Sequence, residues 1–386
     1  MSTHNIYLIA IILGLFISVS FFSEDFNLGS DFISYYTGAS LLKNRQGNRL
    51  YHIEEQKSFQ KKFPKYSDLI LLPFKAVPFV ALFFLPLSYL RLENAYLIFA
   101  YLNISVLFLI YLIAKKVFIH ITGERLFLIL IFLSPALFLA LLNAQTSIFL
   151  TLVMLLIYIS LKKRSWLMVG ILSGFILIKV QLITLIPFLF LLSKNKKKFL
   201  LGLILSLTLL FLVSLHAVGL SELLRYPDFI LKTENEAYGS IIGDSFSLSS
   251  LFSPLVKIGL INMRQIFLGN VFFYMLALFL FNIQLKRHNL SWLFILSSIL
   301  AILFSMHTLA YDLSILTVSI FILLDQYFQL KNKMRKNTLE IAKLLFGLVF
   351  FLIIPIIFGV HFNFGPLVLL VVIFTLLKNP LPNYVQ

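Results

Sequence analysis

FLLGLILSLTLLFLVSLHAV, residues 199–218, runs for 20 residues without Asp, Glu, Lys or Arg. A helix needs about 20 apolar residues to cross a bilayer. Inside lipid, only a helix or a closed barrel can satisfy its own backbone groups. A barrel is excluded because the apolar run is continuous rather than alternating. Comparable runs recur at 94–114, 126–142 and 341–359. The chain of 386 residues is 60% apolar and 12% charged, with 42 Phe. A soluble domain carries about 25% charged residues. The fold predicted is an all-α polytopic membrane protein, a single integral membrane domain over 1–386 with almost no soluble part.

The formal charge of +16 invites a nucleic-acid reading, but the placement of the charges argues against it. Lysines and arginines fall in short turns: Lys115 and Lys116, Lys162 to Arg164, Lys194 to Lys198, Lys286 and Arg287, and Lys331 to Lys336. Short basic turns between apolar runs mark the cytoplasmic side. Of the 16 Asp and Glu, 11 lie in 23–70 and 220–264, the two long polar loops. Those loops are expected outside, both termini inside, and no nucleic acid as partner. The N-terminus lacks the basic flank of a secretory signal, so 5–22 reads as a first, uncleaved span. There is no cysteine, which leaves no disulfide, thiolate metal site or Cys nucleophile.

With every basic turn inside, an even number of crossings separates each pair. Runs 126–142 and 146–161 then form a hairpin with Asn143 and Gln145 at its outer tip. Runs 198–219 with 265–285, 290–306 with 309–328, and 341–359 with 364–377 form three more. The stretch from Arg164 to Lys194 is too short for two full spans, so it predicts a helix broken near Lys179. Segment 71–90, with Pro73, Pro78 and Pro86, is expected to be a re-entrant or half-membrane element. The count is about 12 transmembrane helices, within 11–13.

Polar side chains in such runs are the functional candidates. A charge at mid-bilayer costs roughly 2.5–3.5 kcal/mol on insertion scales, so it faces a cavity or a partner. Lys179 lies in FILIKVQLI (175–183), and Asp312 follows His307 and Tyr311. On this topology Lys179, Gln181, Gln145, His307 and Asp312 all approach the outer face, where Asp31 joins them. Each also has a plain reading: Lys179 as a snorkelling side chain, Gln145 as a helix-tip amide, Asp312 bonded within its own hairpin. Asp31, ahead of an amphipathic run 32–42, reads either as an N-cap or as a functional carboxylate at the end of the first span.

The order of the motifs resembles family 87 of the glycosyltransferases, in the membrane-embedded GT-C class. Asp31-Phe-Ile-Ser-Tyr35-Tyr36-Thr-Gly-Ala-Ser40 is similar to the family's Asp-Phe-x-x-Tyr-Tyr motif after the first span, and Asn48-Arg49-Leu50-Tyr51 to its Gly-x-x-Leu-Tyr. Leu72-Pro73-Phe74 to Leu85-Pro86-Leu87 resembles its proline-marked segment, with one proline missing and Lys75 intruding. Asn143-Ala144-Gln145 stands where the family tends to have Gly-Gln, so Ala144 replaces the Gly. Gly170, Gly174, Lys179 and Gln181 match a Gly-x-x-x-Gly followed by Lys-Pro-Gln without the proline. Asp244 to Leu248, including Ser247, resembles an Asn-x-Ser-Leu box, and Ser305 to Asp312 a Ser-x-His to Tyr-Asp box.

The resemblance implies a GT-C-like bundle whose long first external loop holds short amphipathic helices. It also implies an inverting hexosyltransferase in the plasma (inner) membrane. A hexose, mannose by the family's habit, would pass from a polyprenyl-phosphate donor to a glycolipid, polysaccharide or protein acceptor on the non-cytoplasmic face. Asp31 would be the general base. Tyr35, Tyr36, Gln145, Lys179, Gln181, Ser247, His307, Tyr311 and Asp312 would bind substrate. A lipid phosphate would give Lys179 the counter-charge its apolar surroundings lack. No metal and no cofactor are expected. A lipid-linked sugar flippase or secondary transporter is the alternative from another class. A broken helix at a substrate site suits it, but its internal repeats are not evident.

Single cysteines test the topology, since no native one interferes. Lys163→Cys and Lys196→Cys in intact cells should resist a membrane-impermeant thiol reagent and react once the membrane is opened. Labelling from outside at either position overturns the scheme.

Overall fold

The apolar runs fold as helices, and their glycines and prolines decide where those helices touch and where they stop. The computed structural model describes residues 3–25, 30–63, 71–121, 125–234, 238, 242–305, 307–329 and 365–378. Among these residues there are helices and turns but no strand. Run 341–359, the basic turn at 331–336 and both termini lie outside the described residues, so the fourth hairpin is seen only as Gly365–Lys378.

Helix α1 spans Thr3–Asp25, and the first loop contributes α2 (Ser30–Lys43) and α3 (Ile53–Gln60). After the short α4 (Pro78–Phe84) come α5 (Leu92–Val117), α6 (Arg125–Phe132), α7 (Pro135–Leu142) and α8 (Ser147–Lys162). Next are α9 (Trp166–Gly174), α10 (Leu185–Leu192), α11 (Lys196–Val218) and α12 (Leu220–Thr233). The chain continues through α13 (Ser253–Lys257), α14 (Met263–Gln284), α15 (Leu290–Leu303), α16 (Leu316–Gln329) and α17 (Gly365–Lys378). Among the described residues, four helical stretches are long and apolar enough to cross a membrane: α5, α11, α14, and α16 with the 3₁₀ turn before it, Ala310–Gln329. The chain is a helical membrane protein.

Three other apolar runs are helical but interrupted. Run 126–142, expected as one straight span, breaks at Leu133 and Ser134, and α7 restarts on Pro135. Proline cannot donate to the preceding turn but is at home in the first turn of a new helix. Between α9 and α10 the chain tightens into 3₁₀ geometry over Phe175–Leu182, with Lys179 non-helical at φ −124°, ψ 87°. The break expected at Lys179 is therefore present. Segment 71–90 is helical only over α4 and Leu85–Tyr89, 7 and 5 residues. That helical length rises roughly 20 Å, short of the roughly 30 Å hydrocarbon core.

Helix α2 departs from the amphipathic expectation for 32–42. Phe32, Ile33, Tyr35, Tyr36, Thr37, Ala39, Ser40 and Leu41 are all buried. Phe32 meets Phe84, Tyr96 and Phe99 at centroid distances of 5.8–6.0 Å, so tertiary packing covers the face that would otherwise meet water. Helix α12 is the converse case: the second loop read as polar chain, yet it holds a 14-residue helix. The lipid-facing surface is plain on α11 and α14, where Leu201, Leu205, Leu212, Phe272 and Phe279 are exposed.

The pair α9 and α11 packs backbone to backbone. A Cβ added at Gly170 would collide with the Phe199 carbonyl oxygen, one at Gly202 with the Leu167 carbonyl oxygen, and one at Gly174 with Ser206 Oγ. Small residues four apart permit such approach in membranes, where dispersion contacts rather than water exclusion hold helices together. This contact fixes α9, and with it the broken segment that carries Lys179. Gly170→Ala and Gly202→Ala should each lower stability in detergent by about 1–3 kcal/mol. Gly269→Ala, with open space around its Cβ, should not, as read by thermal unfolding of the purified protein.

Candidate functional site

The site begins with a tight turn. Helix α7 ends in a Schellman arrangement, with Gln145 N donating to Ala140 O at 2.8 Å and Ala144 N to Leu141 O at 3.0 Å. The left-handed position falls on Ala144, φ 45°, a conformation glycine adopts far more readily. This accounts for a glycine preference at that position. Tyr96 OH donates to Leu142 O at 2.7 Å and Asn103 Nδ2 to Gln145 O at 3.3 Å, so α5 holds the turn in place.

The turn delivers the Gln145 side chain, 2% exposed, into the middle of a polar network. Its Nε2 donates to Asp31 Oδ2 at 2.6 Å, and its Oε1 accepts from Lys179 Nζ at 2.8 Å and from Tyr35 OH at 3.1 Å. Lys179 also pairs with Asp312, Nζ to Oδ1 2.9 Å, and sits 4.4 Å above the Tyr311 ring. Asp312 in turn accepts from Ser147 Oγ at 3.0 Å and from Leu309 N at 3.1 Å. Four separate stretches thus meet: the start of α2, the α7–α8 turn, the break between α9 and α10, and the 3₁₀ turn before α16.

This network forms one wall of a cavity of about 490 Å³. Asp31, Tyr35, Gln145 and Lys179 line it, as do Gln181, His307 and Tyr311. The remaining candidates lie elsewhere. Asp312 is 1% exposed, behind Lys179. Tyr36 donates to Leu90 O at 2.7 Å and packs between Phe59 and Phe63. Ser247 is buried in a hydroxyl chain with Ser245 and Ser249. Among the described residues no group of three or more His, Cys, Asp and Glu could hold a metal ion.

Further lining comes from 71–77 and α12, and much of it escaped the sequence reading. Lys75 and Glu234 line the cavity with Tyr226 and Tyr238, and Lys75 Nζ lies 3.4 Å from Glu234 Oε1. Tyr226 OH donates to Lys75 O at 3.0 Å, and Tyr51 OH to Ala76 O at 2.8 Å. Burial, with Glu234 adding to it, pushes the Tyr226 phenol well above its ordinary pKa, so it remains a donor. Lys75 was visible as an intrusion in the proline-marked segment. Nothing in its neighbours distinguished Glu234 from the other acids of its loop.

The family model described as Glycosyltransferase family 87 matches residues 77–310. The chain belongs to glycosyltransferase family 87. The match covers Gln145, Lys179, Gln181, Ser247 and His307, and leaves Asp31, Tyr311 and Asp312 outside its ends. No curated protein and no solved structure matches the chain.

One expectation for this family 87 protein is corrected. Lys179 does not lack a counter-charge, because Asp312 supplies it and both groups are removed from solvent, at 6% and 1% exposure. Removing one member of a buried pair strands the other, at roughly 3–5 kcal/mol. Lys179→Met should therefore destabilise the folded protein by about that amount in detergent unfolding, and Asp312→Leu likewise. The double variant Lys179→Met with Asp312→Leu should recover part of the loss. If Lys179→Met unfolds at the wild-type temperature, the pair is not structural.

Proposed function

We propose that this family 87 member transfers a hexose, mannose by family resemblance, from a polyprenyl-phosphate donor to an acceptor hydroxyl. The transfer takes place on the non-cytoplasmic face of the plasma membrane, with both termini cytoplasmic and Asp31 as general base. The observation that carries this reading is the Asp31 carboxylate on the cavity wall, oriented by Gln145 Nε2 at 2.6 Å. Family membership favours group transfer over transport.

The chemistry asks for three things. A base must take the proton of the acceptor hydroxyl as its oxygen attacks the anomeric carbon. The bond from that carbon to the phosphate oxygen breaks on the opposite face, and the phosphate leaves with the electron pair, inverting the centre. Donor groups must meet the charge that grows on the phosphate, in a site of low dielectric. Asp31 suits the first need, and His307 and Gln181 on the same cavity suit the third. Lys179 acts as the brace that holds Gln145, and so Asp31, in position. A cavity of about 490 Å³ lies in the usual range for small-molecule sites and can hold a hexosyl phosphate with the acceptor group. Glycolipid, polysaccharide and protein hydroxyls all meet the chemical requirement for an acceptor.

Asp31→Asn tests the base directly. Asparagine keeps the shape of the side chain and can still accept from Gln145, so folding should be preserved. Sugar transfer from a polyprenyl-phosphate hexose should fall by roughly 10²–10⁴-fold, the usual contribution of a general base. Near-normal transfer by this variant in reconstituted membranes removes Asp31 from the role.

A further inference from the structure

Two lysines reach the cavity, and their environments differ. Lys179 is 6% exposed, and its partner Asp312 is 1% exposed and also held by Ser147 Oγ and Leu309 N. Its pair distance is 2.9 Å. Lys75 and Glu234 are 22% and 25% exposed and stand 3.4 Å apart. A buried, fully bonded pair is costly to open, whereas a part-exposed one is worth little.

The backbone at Lys75 is nevertheless held firmly. Its carbonyl accepts from Tyr226, and the next one, at Ala76, accepts from Tyr51. Tyr51 is itself set by Glu222, a fully buried acid that accepts from Tyr51 N at 2.9 Å. The root of the side chain is thus fixed beside the cavity, while its flexible four-carbon stem carries a compact charge. Glu234 stands at the C-cap of α12. The helix dipole disfavours a carboxylate there. The acid that neutralises Lys75 is therefore the more weakly held member of the pair.

We propose that Lys75 is the counter-ion of the donor's phosphate, and that Glu234 holds its place until the lipid phosphate displaces it. The inference rests on the reading of this cavity as a lipid-phosphate donor site. It assigns the anion-binding charge to the lysine that departs from the family's proline-marked pattern. Before the donor arrives, the exchangeable pair keeps a lone cation out of a low-dielectric cavity. On arrival, the phosphate takes over Lys75 and leaves Glu234 to the open side.

Exchange makes an asymmetric prediction. Binding of farnesyl phosphate is measured on the full-length protein in nanodiscs, with farnesol as the phosphate-free control. Lys75→Met should weaken farnesyl phosphate binding about tenfold or more, the value of a charged hydrogen bond, while Lys75→Arg retains most of it. Glu234→Gln should tighten binding roughly two- to fivefold by removing a competitor of exposed-pair strength. In the double variant Lys75→Met with Glu234→Gln that gain should vanish, because there is no lysine left to release. Farnesol should bind all variants alike. Misfolding cannot produce the gain in Glu234→Gln, so that variant decides the case. Unchanged or weaker binding by Glu234→Gln, wild-type binding by Lys75→Met, or the same pattern with farnesol overturns the exchange and leaves the donor reading standing. A wild-type protein that binds no farnesyl phosphate overturns both.

Discussion

Gln145 is the point on which the site depends. A primary amide can donate and accept at once, and here it donates to Asp31 while accepting from Lys179 and Tyr35. The three partners come from two separate stretches of chain, α2 and the broken segment after α9, and the amide couples them. Lys179 extends the coupling to Asp312 and the turn before α16. In a low-dielectric interior each of these groups would be costly alone, and together they are satisfied. The network therefore orders this end of the bundle as well as presenting Asp31 to the cavity.

Helix packing supplies the frame that makes such a network possible. The α9–α11 contact relies on Gly170, Gly174 and Gly202 because backbone approaches backbone there. It fixes α9, while the 3₁₀ turn after it frees Lys179 from the helical path. A continuous helix would bury its lysine side chain against a neighbour or send it along the helix axis to the interface. The break lets the ammonium group reach sideways to Gln145 and Asp312. Elsewhere along the cavity, Tyr51 and Tyr226 perform a similar service for Lys75 through backbone carbonyls. The Lys179–Asp312 pair is buried, whereas the Lys75–Glu234 pair is part-exposed, and this difference is the ground for proposing a brace at the one and an exchangeable charge at the other.

Much of this was legible in the chain. Apolar runs, basic turns and the short interval between Arg164 and Lys194 led to an all-helical membrane protein with a broken helix at Lys179, and the order of motifs led to family 87. Gln145, Lys179, Gln181, His307 and Asp312 were singled out because the membrane makes polar groups expensive, with Asp31 joining them on the same face, and all but Asp312 line one cavity. Tyr36 and Ser247 were carried along by motif resemblance, and the structure places both in packing roles away from it. The burial of α2 and the break before Pro135 depend on neighbours that a local pattern does not contain.

Partnership is where sequence and tertiary structure part. Hydrophobicity and charge placement are properties of a stretch, because each residue's transfer into lipid is nearly independent of the rest of the fold. They determined the class and the list of costly polar groups. Which acid neutralises which lysine is a property of approach in space. Asp312 lies 133 residues from Lys179, and Glu234 lies 159 residues from Lys75. A hydrogen bond or ion pair forms only within a few ångströms. Only the packed bundle decided those distances, and with them which ion pair is buried and which is part-exposed.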